Sequence, residues 1–359
     1  MTQISPKRNY RTFIYISIAV IIFIFGFFPE AVEDYYSTFL YPIVSKIQRL
    51  ISSIFPFAIG DFLYALLIIY ILKNIIIFIR RKQKTKKDYL SFGLKSFNFV
   101  LIIYISFKVL WGLNYSRPRI NEQLTISDKP YSKEQLLRLN TFFLQKLDTL
   151  GKTINKAAFN LTTKELEDIA SVAYQQLAEK QPFFHYKYSL VKPVISSWLV
   201  SKTGIEGYYN PLSGEANINQ RLPNFVLPFV TCHEIAHQIG VAKEDEANLV
   251  GYLASINSED LNFQYSGYYN MLRYVLFEIR MKYPEDYNAI IEKIPQSILD
   301  NFKIEREFWA KYNGAMSVYM GKTFDKILKL NNQHKGIKSY QDIVLWLVNY
   351  HAKELTVSN

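Results

Sequence analysis

Pro228-Phe-Val-Thr-Cys-His-Glu-Ile-Ala-His-Gln-Ile-Gly240 is the stretch on which the reading of this chain turns. Pro228 suits the first turn of a helix and Gly240 a left-handed C-terminal cap, so His233 and His237 are expected on one helix. Spaced i and i+4, they project from one face about a turn apart, where two imidazoles can meet one metal ion. Glu234 is offset around the helix; in an HExxH pattern its carboxylate reaches water at the metal without being a ligand, and serves as general base. The chain has five histidines, and on that frequency a chance HExxH is on the order of a few per thousand.

A catalytic zinc takes a third protein ligand and keeps one position open. Glu244-Asp-Glu-Ala-Asn248 follows the Gly240 turn and opens another helical pattern through Leu253. Glu244 is the expected third ligand and Glu246 its rival, since spacing alone does not decide which carboxylate turns inward. Asn248, four residues on from Glu244, is expected to steady one of the histidines. Upstream, Glu215-Ala-Asn-Ile-Asn219 reads as a short edge strand that could receive an extended peptide by strand addition. Tyr268, Tyr269 and Arg273 are candidates for an oxyanion-stabilising group, with core packing the better reading for the aromatics.

Working outward, the first 115 or so residues hold most of the apolar excess of a chain that is 49% hydrophobic. Three uncharged or nearly uncharged runs, 12–29, 62–79 and 96–113, have lengths near the ~20 residues that cross a bilayer. The net charge is +11, but Lys7, Arg8, Arg11 and the cluster Arg80 to Lys87 flank these runs, as cytoplasmic membrane flanks do. A nucleic-acid partner is therefore not expected. With the N-terminus inside, three spans place residues after Trp111 outside the cytoplasm, and the linker Glu30–Ser53 on the outer face. Residues 1–117 read as a three-helix membrane anchor and 118–359 as an extracytoplasmic domain.

That domain is expected to be α+β, a small sheet followed by helices. Ser132-Lys-Glu-Gln135 and Thr162-Thr-Lys-Glu165 have capping-box spacing, Tyr186–Val200 reads as one strand or two, and helix breaks are expected near Ser258, Pro284, Pro295 and Gly336. The single cysteine, Cys232, excludes an internal disulfide and a thiolate zinc cluster, and reads as a small buried hydrophobe. His185, His334 and His351 read as solvated or structural. No nucleotide-binding glycine loop and no GxSxG elbow is present.

HEIAHQIG with EDEAN is similar to the gluzincin arrangement, HExxH followed by a glutamate ligand. The chain more closely resembles an uncharacterised bacterial membrane family known as domain of unknown function 3810. The likeness rests on Trp111-Gly-Leu-Asn-Tyr115 with Arg117, Gly207-Tyr-Tyr-Asn-Pro211 with Gly214-Glu215-Ala216, the HEIAHQIG–EDEAN core, and Gly336 to Tyr340. It implies a zincin-like fold with Zn2+ on His233, His237 and Glu244, and Glu234 as base. The six residues between His237 and Glu244, and Asn248 in place of an aspartate, depart from most gluzincins. The expected function is a zinc-dependent endopeptidase acting on a peptide or protein substrate at a bacterial inner membrane, with the catalytic domain periplasmic. The alternatives are a non-catalytic membrane-anchored binding module with a structural or vestigial zinc, and hydrolysis of a non-peptide amide.

Overall fold

The structure, a computed structural model, describes residues 6–154, 160–312, 314, 316–318 and 342–357; the expected break at Gly336, the likeness at Gly336–Tyr340 and His334 lie outside them. Four helices open the chain: α1 (Pro6–Phe25), α2 (Pro29–Ser52), α3 (Ile59–Arg80) and α4 (Lys86–Leu110). α3 and α4 are each long and apolar enough to cross a membrane, and α1 with α2 makes a third candidate only if the pair, bent by 106°, is taken as one span. α3 and α4 form a hairpin in which Phe78 stacks on Phe92 at 4.1 Å and Tyr70 meets Phe99. The basic cluster Arg80–Lys87 occupies its tip, where Thr85 caps α4 by accepting from the Asp88 amide. α4 starts ten residues before the apolar run expected at 96–113 because this capping box nucleates it. It stops at Leu110, since Trp111 and the 3-10 turn Gly112–Ser116 are buried against the globular part.

The segment Glu30–Ser53, expected to be a linker, is helical throughout, with a π-helical stretch at Val32–Leu40. Its polar side is its buried side. Ser37, Ser45, Arg49 and Ser52 are buried with Val32, Tyr36 and Tyr41, while Phe39, Ile43, Ile47 and Ile51 are exposed.

The globular part is mostly helical, with one small mixed sheet, which agrees with the α+β expectation at that level. Both capping boxes form, opening α5 (Lys133–Thr153) and α6 (Thr163–Lys180). The stretch Tyr186–Val200 contributes only β1 (Val191–Pro193); α7 (Ser197–Thr203) takes the rest, because Ser196 caps a helix there and Gly204, at φ +78°, ends it. Strands β2 (Gly207–Asn210) and β3 (Glu215–Ile218) complete the sheet in the order β1-β3-β2. β3 is thus the central strand, parallel to β1 in the register Val191↔Ala216 and antiparallel to β2 with Asn210 opposite Glu215. The edge-strand expectation for Glu215–Asn219 is overturned: its backbone is already paired on both sides and accepts no added peptide. Behind the sheet lie α8 (Leu227–Gln238), α9 (Glu244–Ile256) and α10 (Leu261–Lys282), with further helices at Pro284–Ile291, Gln296–Ala310, Asp342–Tyr350 and Ala352–Val357. A single large core joins α5, α6, α8, α9 and α10 through Phe143, Tyr174, Ile235, Tyr252 and Tyr269.

A buried ion pair ties sheet to membrane helices. Lys192 Nζ lies 2.8 Å from Glu215 Oε1, both side chains almost wholly enclosed. Lys192 also donates to the carbonyls of Ser52, Phe55 and Phe57, the connection out of α2. Glu215 accepts from the amides of Ile59 and Gly60, the otherwise unsatisfied donors at the start of α3. Gly60 permits this close approach, as a Cβ there would stand 2.2 Å from the Asn210 side chain. Glu215→Leu strands a buried ammonium and is expected to cost about 3–5 kcal/mol. In denaturant titrations of the micelle-bound protein, Glu215→Leu/Lys192→Met should lose less than the sum of the two single variants.

Candidate metal centre

The site is assembled by the ends of two helices and the turn between them. α8 is buried along nearly its whole length, with Pro228 in its first turn. It ends in a Schellman motif: the Val241 amide donates to the Ala236 carbonyl at 3.0 Å, the Gly240 amide to that of His237 at 3.1 Å, and Gly240 takes φ +89°. The reversal brings α9 back alongside α8 with Glu244 at its first position. Close packing is completed at Gly251, where a Cβ would stand 3.0 Å from the His233 backbone.

His233 Nε2 lies 3.3 Å from Glu244 Oε2 and His237 Nε2 lies 3.7 Å from Glu244 Oε1. The imidazoles stand edge to face, ring centroids 4.8 Å apart. Ligand atoms of His233, His237 and Glu244 all fall within 4.8 Å of one another. Donors about 2.0–2.1 Å from a tetrahedral zinc are separated by about 3.4 Å, so the spacing suits such an ion. His237 Nδ1 sits 2.6 Å from the Val241 carbonyl, which fixes a proton on Nδ1 and leaves the Nε2 lone pair facing the cluster. The same turn that ends α8 therefore orients its second histidine. The side chains of His233 and Glu244 are 14% and 16% exposed, so the cluster opens to solvent on that side.

Electrostatics agree with this arrangement. Burial pushes His237 down to about 4, keeping the ring neutral. For Glu244 burial acts upward, but His233 and His237 outweigh it and the carboxyl stays below its ordinary range. Glu234 is 3% exposed, and burial together with Glu244 and Glu206 pushes it up to about 8, against the pull of His233. Its Oε2 is buried without a hydrogen-bond partner among the described residues. It packs against β2 where Gly207 leaves room; a Cβ at 207 would stand 2.7 Å from Glu234 Oε1.

Glu246 turns away, accepting from Lys243 Nζ at 3.1 Å and from the Ile120 amide at 3.4 Å. Asn248 meets neither histidine; its amide donates to the Tyr274 hydroxyl. Tyr268 packs on Phe142 and Phe143, and Tyr269 donates to Glu305. Arg273 pairs with Glu305 at 2.8 Å and approaches Glu206 at 3.8 Å, while the charge of Glu206 is felt at His233. Cys232 is fully buried, its thiol pushed up to about 12 by burial. His351 is buried against Tyr252, Nε2 to hydroxyl 2.7 Å, and His185 is exposed.

Sequence reading passed over the groups that hold the carbonyl end of α8. Trp111 Nε1 donates to the His237 carbonyl at 3.2 Å, and Tyr41 donates to the carbonyls of His237 and Gln238. Arg117 donates through Nη1 to those of Ile239 and Gly240 while gripping Glu33 through Nε and Nη2, at 2.7 and 2.6 Å. Part of their signal was available: Tyr41, Ser45, Arg49 and Ser52 recur every three or four residues, a polar stripe on a helix whose Ile43, Ile47, Leu50 and Ile51 fall on another side.

A family model described as "Protein of unknown function (DUF3810)" matches residues 36–348. The chain belongs to this family. The match begins inside α2 and takes in both membrane-length helices and the His233–His237–Glu244 cluster. No curated protein and no solved structure matches the chain.

The two carboxylates are separable by metal analysis. Glu244→Ala is expected to lose a bound divalent cation, whereas Glu246→Ala should retain it and show only the destabilisation of an unpaired Lys243, read by plasma emission spectrometry and thermal unfolding of purified protein.

Proposed function

We propose that the chain is a membrane-anchored zinc-dependent peptidase of gluzincin-like design. The observation that carries this reading is the convergence of two imidazole Nε2 atoms and one carboxylate on a point bordered by a second, unpartnered carboxyl, Glu234. The donor set is that of a zinc site with an open side, and His233, His237 and Glu244 would hold the ion. When bound, zinc supplies Lewis acidity, acidifying water and polarising a carbonyl. A cation beside Glu234 also offsets the burial that raises its pKa, returning it to the carboxylate that a base must be.

Glu234 does the proton work. Its freedom from other hydrogen bonds lets Oε2 accept the proton of an attacking water and then hand it to the leaving nitrogen of the cleaved amide. Gly207 and the β2 backbone hold the carboxyl to one side of the imidazoles. The substrate on this reading is a peptide or protein, reached on the solvent side of His233 and Glu244. Basic residues ahead of the first apolar run (Lys7, Arg8, Arg11) and at the α3–α4 tip (Arg80–Lys87), against the acidic Glu30, Glu33 and Asp34, favour a cytoplasmic N-terminus and an extracytoplasmic, periplasmic domain at a bacterial inner membrane.

Glu234→Gln is the decisive variant. Zinc stoichiometry should be unchanged and hydrolysis of a fluorogenic peptide library should fall by about 10²–10⁴. Unchanged turnover in that variant would remove Glu234 from the mechanism. A wild-type protein that binds zinc tightly yet cleaves nothing in the library would favour the binding-module alternative.

A further inference from the structure

The exposed apolar side of α2 has no counterpart in the globular part, and the chain's own connectivity says what covers it. Phe39, Ile43, Ile47, Leu50 and Ile51, with Ile54 just beyond the helix, are 45 to 76% exposed on one side, while the opposite side is hydrogen-bonded into the fold. Gln48 donates to the carbonyls of Pro211 and Leu212, Arg49 to that of Tyr188, and Ser52 to that of Ser213. A helix facing water would carry these sides the other way round.

The ends of the three apolar helices lie together at one face of the molecule. α1 runs beside α4, and Gly26 just beyond it stands within van der Waals reach of Ser116 just beyond α4. α3 begins against Glu215, at the end of the α2 connection. α2 thus starts where α1 leaves the apolar layer and finishes where α3 enters it. A segment with both ends at one surface crosses nothing, and the 106° bend lays it across the direction of α1.

We propose that Tyr35–Ser52 is an interfacial helix, lying in the plane of the bilayer on the side of the candidate metal centre, with its apolar side in the lipid. This rests on α3 and α4 being membrane spans and on α1, which lies beside α4, entering the same apolar layer without α2; it is independent of any catalytic activity. Apolar sides of such helices sit about 5–10 Å into the headgroup and acyl boundary. Because Tyr41 on the inner side donates to the carbonyl of His237, that carbonyl lies about one helix diameter, roughly 10 Å, from the lipid. The metal centre is thereby held at the membrane surface by hydrogen bonds and not by a flexible tether.

The test is nitroxide scanning of the full chain in lipid nanodiscs, with labels at Ile43→Cys, Ile47→Cys and Ile51→Cys, at Ile69→Cys in mid-α3, and at Lys152→Cys on the exposed end of α5. Cys232 is fully buried and should stay unlabelled, which the wild-type protein checks. Oxygen should relax the three α2 labels more than a nickel chelate does, giving depths of about 5–10 Å, against about 15 Å for Ile69 and a nickel-favoured Lys152. A nickel preference on α2 with Ile69 deep overturns this inference and leaves the spans standing. Depths equal to that of Ile69 would make α2 part of a broken span, exclusion of both relaxants would mean protein covers it, and an aqueous Ile69 would remove the membrane itself; each also overturns it.

Discussion

A helix whose C-terminal end is buried must find partners for carbonyls that its own ladder leaves open, and α8 is such a helix. Its histidines are useful only if that end is rigid, because His237 is the penultimate helical residue. The partners come from residues bordering the apolar helices: Tyr41 from α2, Trp111 from the end of α4, and Arg117 just beyond it. Arg117 adds a positive charge where the helix dipole is negative, and Glu33 holds its guanidinium in place. The histidine helix and the segments bordering the apolar helices are in this sense one unit, joined by hydrogen bonds from Tyr41, Trp111 and Arg117.

The second junction has the same logic at the other side of the sheet. Central strand β3 places Glu215 under the first turn of α3, and β1 places Lys192 under the last carbonyls of the α2 connection. Each charge answers both its partner and a helix end, so desolvation of the pair is met by hydrogen bonds on every side. β2, across from β3, carries Gly207 against Glu234. A three-stranded sheet of three or four residues a strand is too small to be a platform in its own right. It links the apolar helices, through Glu215 and Lys192, to Glu234, through Gly207.

HExxH, the Gly240 turn and the helix at Glu244 were legible in sequence because each is local: their geometry follows from i, i+4 spacing and a left-handed cap. The choice between Glu244 and Glu246 was not local. It is made by Ile120 and Lys243, which engage Glu246 from outside the motif. Asn248 was misassigned because the face it shares with Glu244 looks onto α10, where Tyr274 waits. The central position of β3 depended on β1, a strand of three residues including Pro193, too short to announce itself. α2 was read as an outer-face linker from its charge balance, Glu30, Glu33 and Asp34 against Lys46 and Arg49, which says nothing of the helix whose polar side is the inner one.

The charge balance around the histidines gives the physical ground for a bound cation. Glu206, Glu234 and Glu244 are felt at His233, and Arg273 lies 3.8 Å from Glu206 but pairs more closely, at 2.8 Å, with Glu305. Like carboxylates in a low-dielectric enclosure raise one another's pKa, as Glu206 and Glu234 both show. Nothing in packing requires such an excess, since a glutamine at 234 would fill the same space without the desolvation cost of a carboxylate. A divalent ion on His233, His237 and Glu244, as proposed above, would answer that excess; without it the buried Oε2 of Glu234 has no hydrogen-bond partner among the described residues.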